Sequence, residues 1–216
     1  MNALVRKSSG ERRKEIVAAV LRIIGHKGFK AVTARALAEE VGVTSGALFR
    51  HFTSLDDILQ EVVRYALTRV EGTFPDESLP PRDRLVQLAR NRIQVFGADP
   101  GLAWLLRSEQ AYLMLPKESG DLLRALTRRS KQYLLDAIRE GVSEGSIRSD
   151  IEPEVLLVLI MGTIHALIGM PGVYRIEVNR QPGESDRVLR ALVLLLADPD
   201  RRAESSGEPD PQESIV

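Results

Sequence analysis

The side chains able to do chemistry cluster between Thr33 and Phe52, in TARALAEEVGVTSGALFRHF. Thr33, Arg35, Thr44, Ser45, Arg50 and His51 bring hydroxyl, guanidinium and imidazole groups, with Gly46, Ala47 and Phe49 set among them. On a short helix these groups suit the major groove of duplex DNA. The groove admits one helix; hydroxyls and cations meet phosphates and base edges, and small residues such as Ser45, Gly46 and Ala47 let the backbone approach. Catalytic signals are weak by comparison. Gly141-Val142-Ser143-Glu144-Gly145 matches the G-x-S-x-G spacing of a nucleophile elbow, but that device needs a strand-to-helix turn and this one falls at a helix end. The three histidines stand apart, and neither metal-ligand spacing nor a phosphate loop occurs, so the chain is expected to be no enzyme and to need neither cofactor nor metal.

Two short helices around a tight turn would position the cluster. Thr33 can cap the first, whose Leu37, Ala38 and Val41 recur at helical spacing. Gly42 suits the left-handed position that ends it, Val43 fills the corner, and Thr44 opens the second helix. Leu48 and Phe52, one turn apart, would face inward and leave the polar set outside. A plain helical hairpin that binds nothing shares this spacing.

The residue types go further than the spacing. A Thr-opened helix, the Gly42-Val43 corner and Gly46-Ala47-Leu48-Phe49-Arg50-His51-Phe52, preceded by Gly28-Phe29 and followed by a Ser-capped helix, resemble the DNA-binding end of the TetR family of transcriptional regulators. The likeness covers about the first quarter of the chain. It implies an all-α protein: an N-terminal three-helix helix-turn-helix head, then a helical-bundle body that binds a ligand and dimerises. Two departures stand out. Phe49 replaces a tyrosine whose hydroxyl commonly holds a phosphate in the family, and Leu55 stands where a lysine commonly opens the next helix. Both losses put more weight on Arg50, His51 and the basic N-terminal arm.

Charge agrees with this division. The 216 residues carry no net charge, yet residues 1–52 hold ten Lys or Arg against four Asp or Glu, a balance of +6, and the remainder carries −6. A basic head on an acidic body approaches a polyanion by one end. The absence of cysteine excludes disulfides and thiolate chemistry, and no signal-peptide or membrane-length segment is present, so a cytoplasmic protein is expected. The domain boundaries expected are a head over 1–52, an effector-binding and dimerisation body over 53–198, and a disordered polar tail over 199–216.

Within the head, Ser8-Ser9-Gly10-Glu11 fits a capping box for a first helix ending at Gly28. In the body, Ser54 caps a linking helix, with Asp57 completing a second capping box. Further helices run from about Pro81 to Gly97, Gly101 to Leu115, Ser119 to Glu144, Val155 to Met170 and Ser185 to Ala197, with Leu113 and Leu122 among the residues expected to face inward. Arg92 and Glu109 fall inside apolar stripes, which predicts that they pair; the alternative is that Glu109 faces a cavity and meets a cationic ligand. The Val155–Met170 stretch lacks a polar face, so one side suits the core and the other a partner subunit, giving a dimer interface through the last two helices. Trp104, Glu109, Tyr112, Met114, Tyr133, Met161 and His165 are candidates for lining an effector cavity, and suggest a hydrophobic or aromatic small molecule.

The function expected is therefore a homodimeric, ligand-responsive transcriptional regulator, most simply a repressor. It would bind a palindromic double-stranded operator and be released by a small effector. The competing class is a helical ligand-binding or interaction module whose hairpin no longer binds DNA, and Phe49 and Leu55 favour it.

Overall fold

A computed structural model describes residues 8–169 and 183–198. The basic arm ahead of Ser8, Met170 at the end of the Val155–Met170 stretch and the 199–216 tail lie outside the described residues. Among the described residues all regular structure is helical: α1 Ser9–Lys27, a 3₁₀ turn Phe29–Ala31, α2 Ala34–Val41, α3 Ser45–Leu48, α4 Leu55–Glu71, α5 Pro81–Gly97, α6 Pro100–Arg107, α7 Glu109–Met114, α8 Lys117–Ser143, α9 Pro153–Ile168 and α10 Glu184–Leu196. The all-α expectation holds.

Local chemistry sets most helix starts. Ser8 Oγ accepts from the Glu11 amide while the Glu11 carboxylate accepts from the Ser8 amide, which is the capping box anticipated. Ser54 Oγ accepts from the Asp57 amide at 3.1 Å, but the Asp57 carboxylate reaches one residue further back, to the Thr53 amide at 2.9 Å. Asp99 caps α6 through the Leu102 amide at 2.9 Å, with Pro100 in the first turn. Gly42 ends α2 at φ +74°, a left-handed conformation that side chains with a Cβ rarely adopt.

Two apolar cores hold these helices. The first gathers α1 to α4 with α6, α7 and the start of α8, around Ile16, Val20, Leu48, Phe52, Val62 and Leu105. The second joins α5, the later part of α8, α9 and α10, around Leu88, Leu134, Ile138, Ile160 and Leu189. The first core runs continuously across α1, α4 and α6. Where α1 and α6 cross, a Cβ added to Gly101 would lie 1.9 Å from the Leu21 carbonyl oxygen, so only glycine permits this approach.

Three expectations need correction. The helix foreseen from Gly101 to Leu115 is broken at Ser108, which is extended (φ −96°, ψ 122°). Serine is a weak helix-interior residue, and the break rotates the next turns of chain: Ala111 and Leu115 point inward, and Leu113, expected in the buried stripe, is 85 % exposed. Leu122, also expected inside, is 47 % exposed. The Arg92–Glu109 pair does not form: Arg92 Nη2 donates to Ser130 Oγ at 2.8 Å and its Nε lies 3.5 Å from Thr73 Oγ1, while Glu109 is exposed. Hydroxyls on α8 and after α4 reach the guanidinium, and the Ser108 break carries Glu109 outward.

Candidate nucleic-acid interface and effector cavity

The hairpin is built on its caps. Thr33 Oγ1 accepts from the Ala36 amide at 3.1 Å and Thr44 Oγ1 from the Ala47 amide at 3.2 Å. Each hydroxyl spends a lone pair on its helix and keeps an O–H donor for a phosphate. The second helix is shorter than foreseen. Four residues, Ser45–Leu48, are α-helical, and the chain then tightens through the Arg50 amide to Ala47 and the His51 amide to Leu48. Leu48 and Phe52 are buried, whereas Thr33, Arg35, Thr44, Ser45, Gly46, Phe49 and Arg50 are exposed and Ala47 and His51 are half-buried.

Two of the anticipated DNA contacts are already engaged within the protein. Arg35 pairs with Glu39 at 2.9 Å across one helical turn; both side chains are exposed, so the pair is weak and yields readily to another anion. His51 Nδ1 lies 3.1 Å from Ser9 Oγ at the start of α1, which ties the imidazole to the head rather than leaving it outward. Phe49 presents an exposed ring with no hydroxyl.

Arg13 carries a role its sequence context concealed. It falls in the basic run of the first helix, yet its guanidinium donates to the His51 carbonyl at 2.6 Å and to Glu61 of α4 at 3.1 Å, and sits 4.1 Å above the Phe52 ring centre. One side chain thus clamps α1, the end of the recognition turn and α4. Glu61 is also held by Arg64 at 2.7 Å, and the two guanidiniums, Arg64 foremost, keep its carboxyl below the usual range.

A cavity of about 500 Å³ lies between α4, α5, α6, α7, α8 and α9. Of the candidates, it brings together Glu109, Tyr112, Met161 and His165, with Arg92, Arg107, Phe96 and Ser130 around them. Trp104, Tyr133 and Met114 are elsewhere. Trp104 stacks on Phe29 at 5.8 Å, Tyr133 packs edge-on against Phe74 and donates to the Pro75 carbonyl at 3.2 Å, and Met114 is on the surface. Arg107 had no sequence signal, because its orientation depends on the break at Ser108. It donates to the Gly169 carbonyl beyond α9.

The cavity is electropositive. Burial without a carboxylate partner pulls Arg92 down to about 10. His165 is lowered to about 4, first by burial and then by Arg107 and Arg92, and is neutral at physiological pH. A second groove, of about 940 Å³, runs between α1, α4 and the start of α6; it is lined by Arg13, Arg22, Arg64 and Tyr65 and holds none of the effector candidates. Among the described residues no three His, Asp or Glu side chains gather as a metal site. Nor is any helix there long and apolar enough to cross a membrane.

A capped helix-turn-helix on a helical body with a half-open cavity fits a class of DNA-binding regulators. The description "Bacterial regulatory proteins, tetR family" matches residues 16–62, and "Tetracyclin repressor-like, C-terminal domain" matches residues 78–168. The chain belongs to the TetR family of transcriptional regulators, whose members are not enzymes. It is 26 % identical over 156 residues to the HTH-type transcriptional repressor KstR2 of Mycolicibacterium smegmatis, covering 70 % of this chain and 75 % of that one. The structure of the ketosteroid transcriptional regulator KstR2 of Mycobacterium tuberculosis superposes with a TM-score of 0.71 at 19 % identity, over 87 % of this chain and 95 % of that one. AibR in complex with isovaleryl coenzyme A and operator DNA superposes with a TM-score of 0.67 at 16 % identity, over 86 % and 97 % of the two chains.

Proposed function

We propose that this regulator is a homodimeric repressor whose head, residues 1–52, binds a palindromic operator and whose body, residues 53–198, releases it when a small molecule fills the cavity. The observation that carries the reading is the pairing of an exposed, hydroxyl-rich recognition turn with an uncovered apolar seam. On α9, Leu156, Ile160 and Ile164 face the core while Val155, Val158 and Leu159 are exposed; on α10, Leu194 and Leu195 are exposed as well. A second copy covering this seam would pair two heads about a two-fold axis, with half-sites about 34 Å apart or a multiple of that.

Coupling has a short route. Leu106 and Arg107 line the cavity at one end of α6, and Gly101 abuts α1 at the other, about 9 Å away along the helix. Helix α4 makes a second link, from Val70 in the cavity to Glu61 under Arg13. An effector that shifts either helix alters the spacing of the heads. It must also bind the operator-bound form more weakly by the same factor. The repressor KstR2 and the operator- and ligand-bound AibR support this reading as analogies of family and fold.

Operators selected from random DNA with the purified protein, then gel-shift titration over salt, test it. A single palindrome should emerge, with affinity falling steeply as ionic strength rises because phosphate contacts release counterions. Arg35→Ala should relax preference at one position of each half-site, at about 1–3 kcal/mol if the guanidinium reads a guanine edge. Equal weakening on every sequence would reassign Arg35 to phosphate; failure to enrich any palindrome would favour a module that does not bind DNA.

A further inference from the structure

The cavity wall carries an excess of cationic groups. Arg92, Arg107 and the exposed Lys131 line it against a single carboxylate, Glu109, which is exposed as well. Arg92 is the unusual member. It is 8 % exposed, and among the described residues its guanidinium meets only the Ser130 and Thr73 hydroxyls and the face of Phe74 at 5.3 Å. A guanidinium has five N–H donors, and a buried cation is costly unless an anion compensates it. Arg107 stands at the same cavity with one carbonyl partner, Gly169. The rest of the wall is mostly apolar, from Val70, Phe96, Leu126 and Ile164, interrupted by Tyr112, Thr127, Ser130 and His165.

We propose that Arg92 and Arg107 form the anion-binding end of this cavity, and that the effector is an apolar molecule bearing one oxyanion, a carboxylate or a phosphate. This rests on the reading of the body as an effector domain and names the chemistry of its ligand. Planar bidentate recognition of an oxyanion is what a guanidinium does best, and Ser130 Oγ fixes the Arg92 fork in place. Neutral His165 beside the two cations supplies a hydrogen bond without adding charge. Cationic effectors are disfavoured, since inside the cavity they would face two guanidiniums while the one carboxylate, Glu109, is exposed to solvent.

Calorimetric titration of the full chain with a ten-carbon series below micelle-forming concentrations tests the assignment. The probes are decanoate, decyl phosphate, decanol and decyltrimethylammonium, with the same body and different heads. At least one anion should bind tenfold or more tightly than decanol, and the better of decanoate and decyl phosphate identifies the oxyanion. Arg92→Gln and, separately, Arg107→Gln should each shrink that preference to about threefold or less, by weakening the anion far more than decanol. The Arg107 variant guards against misfolding at the more buried position. Equal binding of decanol and the anions, tightest binding of the ammonium, or no binding of either anion overturns the proposal. Selection of operators without any ligand separates the two readings: a protein that prefers the anion but enriches no palindrome keeps this site and loses the repressor, and the converse loses only this site.

Discussion

At the scale of single residues, Arg13 and Thr44 mark what a sequence displays and what it hides. Thr44 is legible because a cap is a local event: the hydroxyl and the amide it serves are three residues apart. Arg13 is not, because its partners His51, Phe52 and Glu61 are some 40 to 50 residues away and no periodicity announces them. Arg13→Met should destabilise the head by about 2 kcal/mol, the loss of a charge-assisted hydrogen bond plus a cation–π contact. It should also weaken binding to all operators alike, since it tilts the recognition turn as a whole. Arg13→Lys should recover the charge but little of the stability, because an ammonium cannot fork between a carbonyl and a carboxylate. Chemical denaturation with parallel gel shifts measures both; a sequence-selective loss would place Arg13 on the DNA.

At the scale of elements, the helices themselves were readable and their interruptions were not. The apolar stripes of α1, α4 and α5 and the caps at Ser8, Thr33 and Ser54 fall where spacing puts them. The break at Ser108 escapes a periodicity argument, because Leu102, Leu105, Leu106 and Leu113 fit one continuous helix as well as two. Packing decides it, since Ala111 and Leu115 are the residues that reach the core. The α1–α6 crossing is the element-level feature with the sharpest consequence. Gly101→Ala would drive a methyl against the Leu21 carbonyl and should cost about 3 kcal/mol or more, whereas alanine in an open helix would be favoured over glycine. A urea midpoint unchanged from the parent would show that the two helices do not bear on one another. Gly46→Ala, with nothing within 4 Å of the added carbon, is the control that should fold normally.

For the whole molecule, the proposed dimer depends on the seam on α9 and α10. Val158, Leu159, Leu194 and Leu195 are each more than half exposed, an arrangement a lone protomer has little reason to keep. Leu159→Glu combined with Leu195→Glu should give a monomer by light scattering, with folded helical content retained. Operator affinity should fall by about two or more orders of magnitude, because one four-residue recognition helix reads few base pairs alone. A variant that stays dimeric places the interface elsewhere; a monomer that binds the operator undiminished removes symmetry from the mechanism.

The sequence by itself determined the helical class, the capped hairpin, the family resemblance and the apolar character of α9, because each depends on neighbours within a turn or two of chain. Tertiary structure alone decided that Arg13 clamps the head together, that Trp104 joins α6 to the head instead of lining the cavity, and that Arg92 faces hydroxyls rather than Glu109. Those outcomes depend on which distant helix arrives opposite a side chain. Close packing settles that for the chain as a whole.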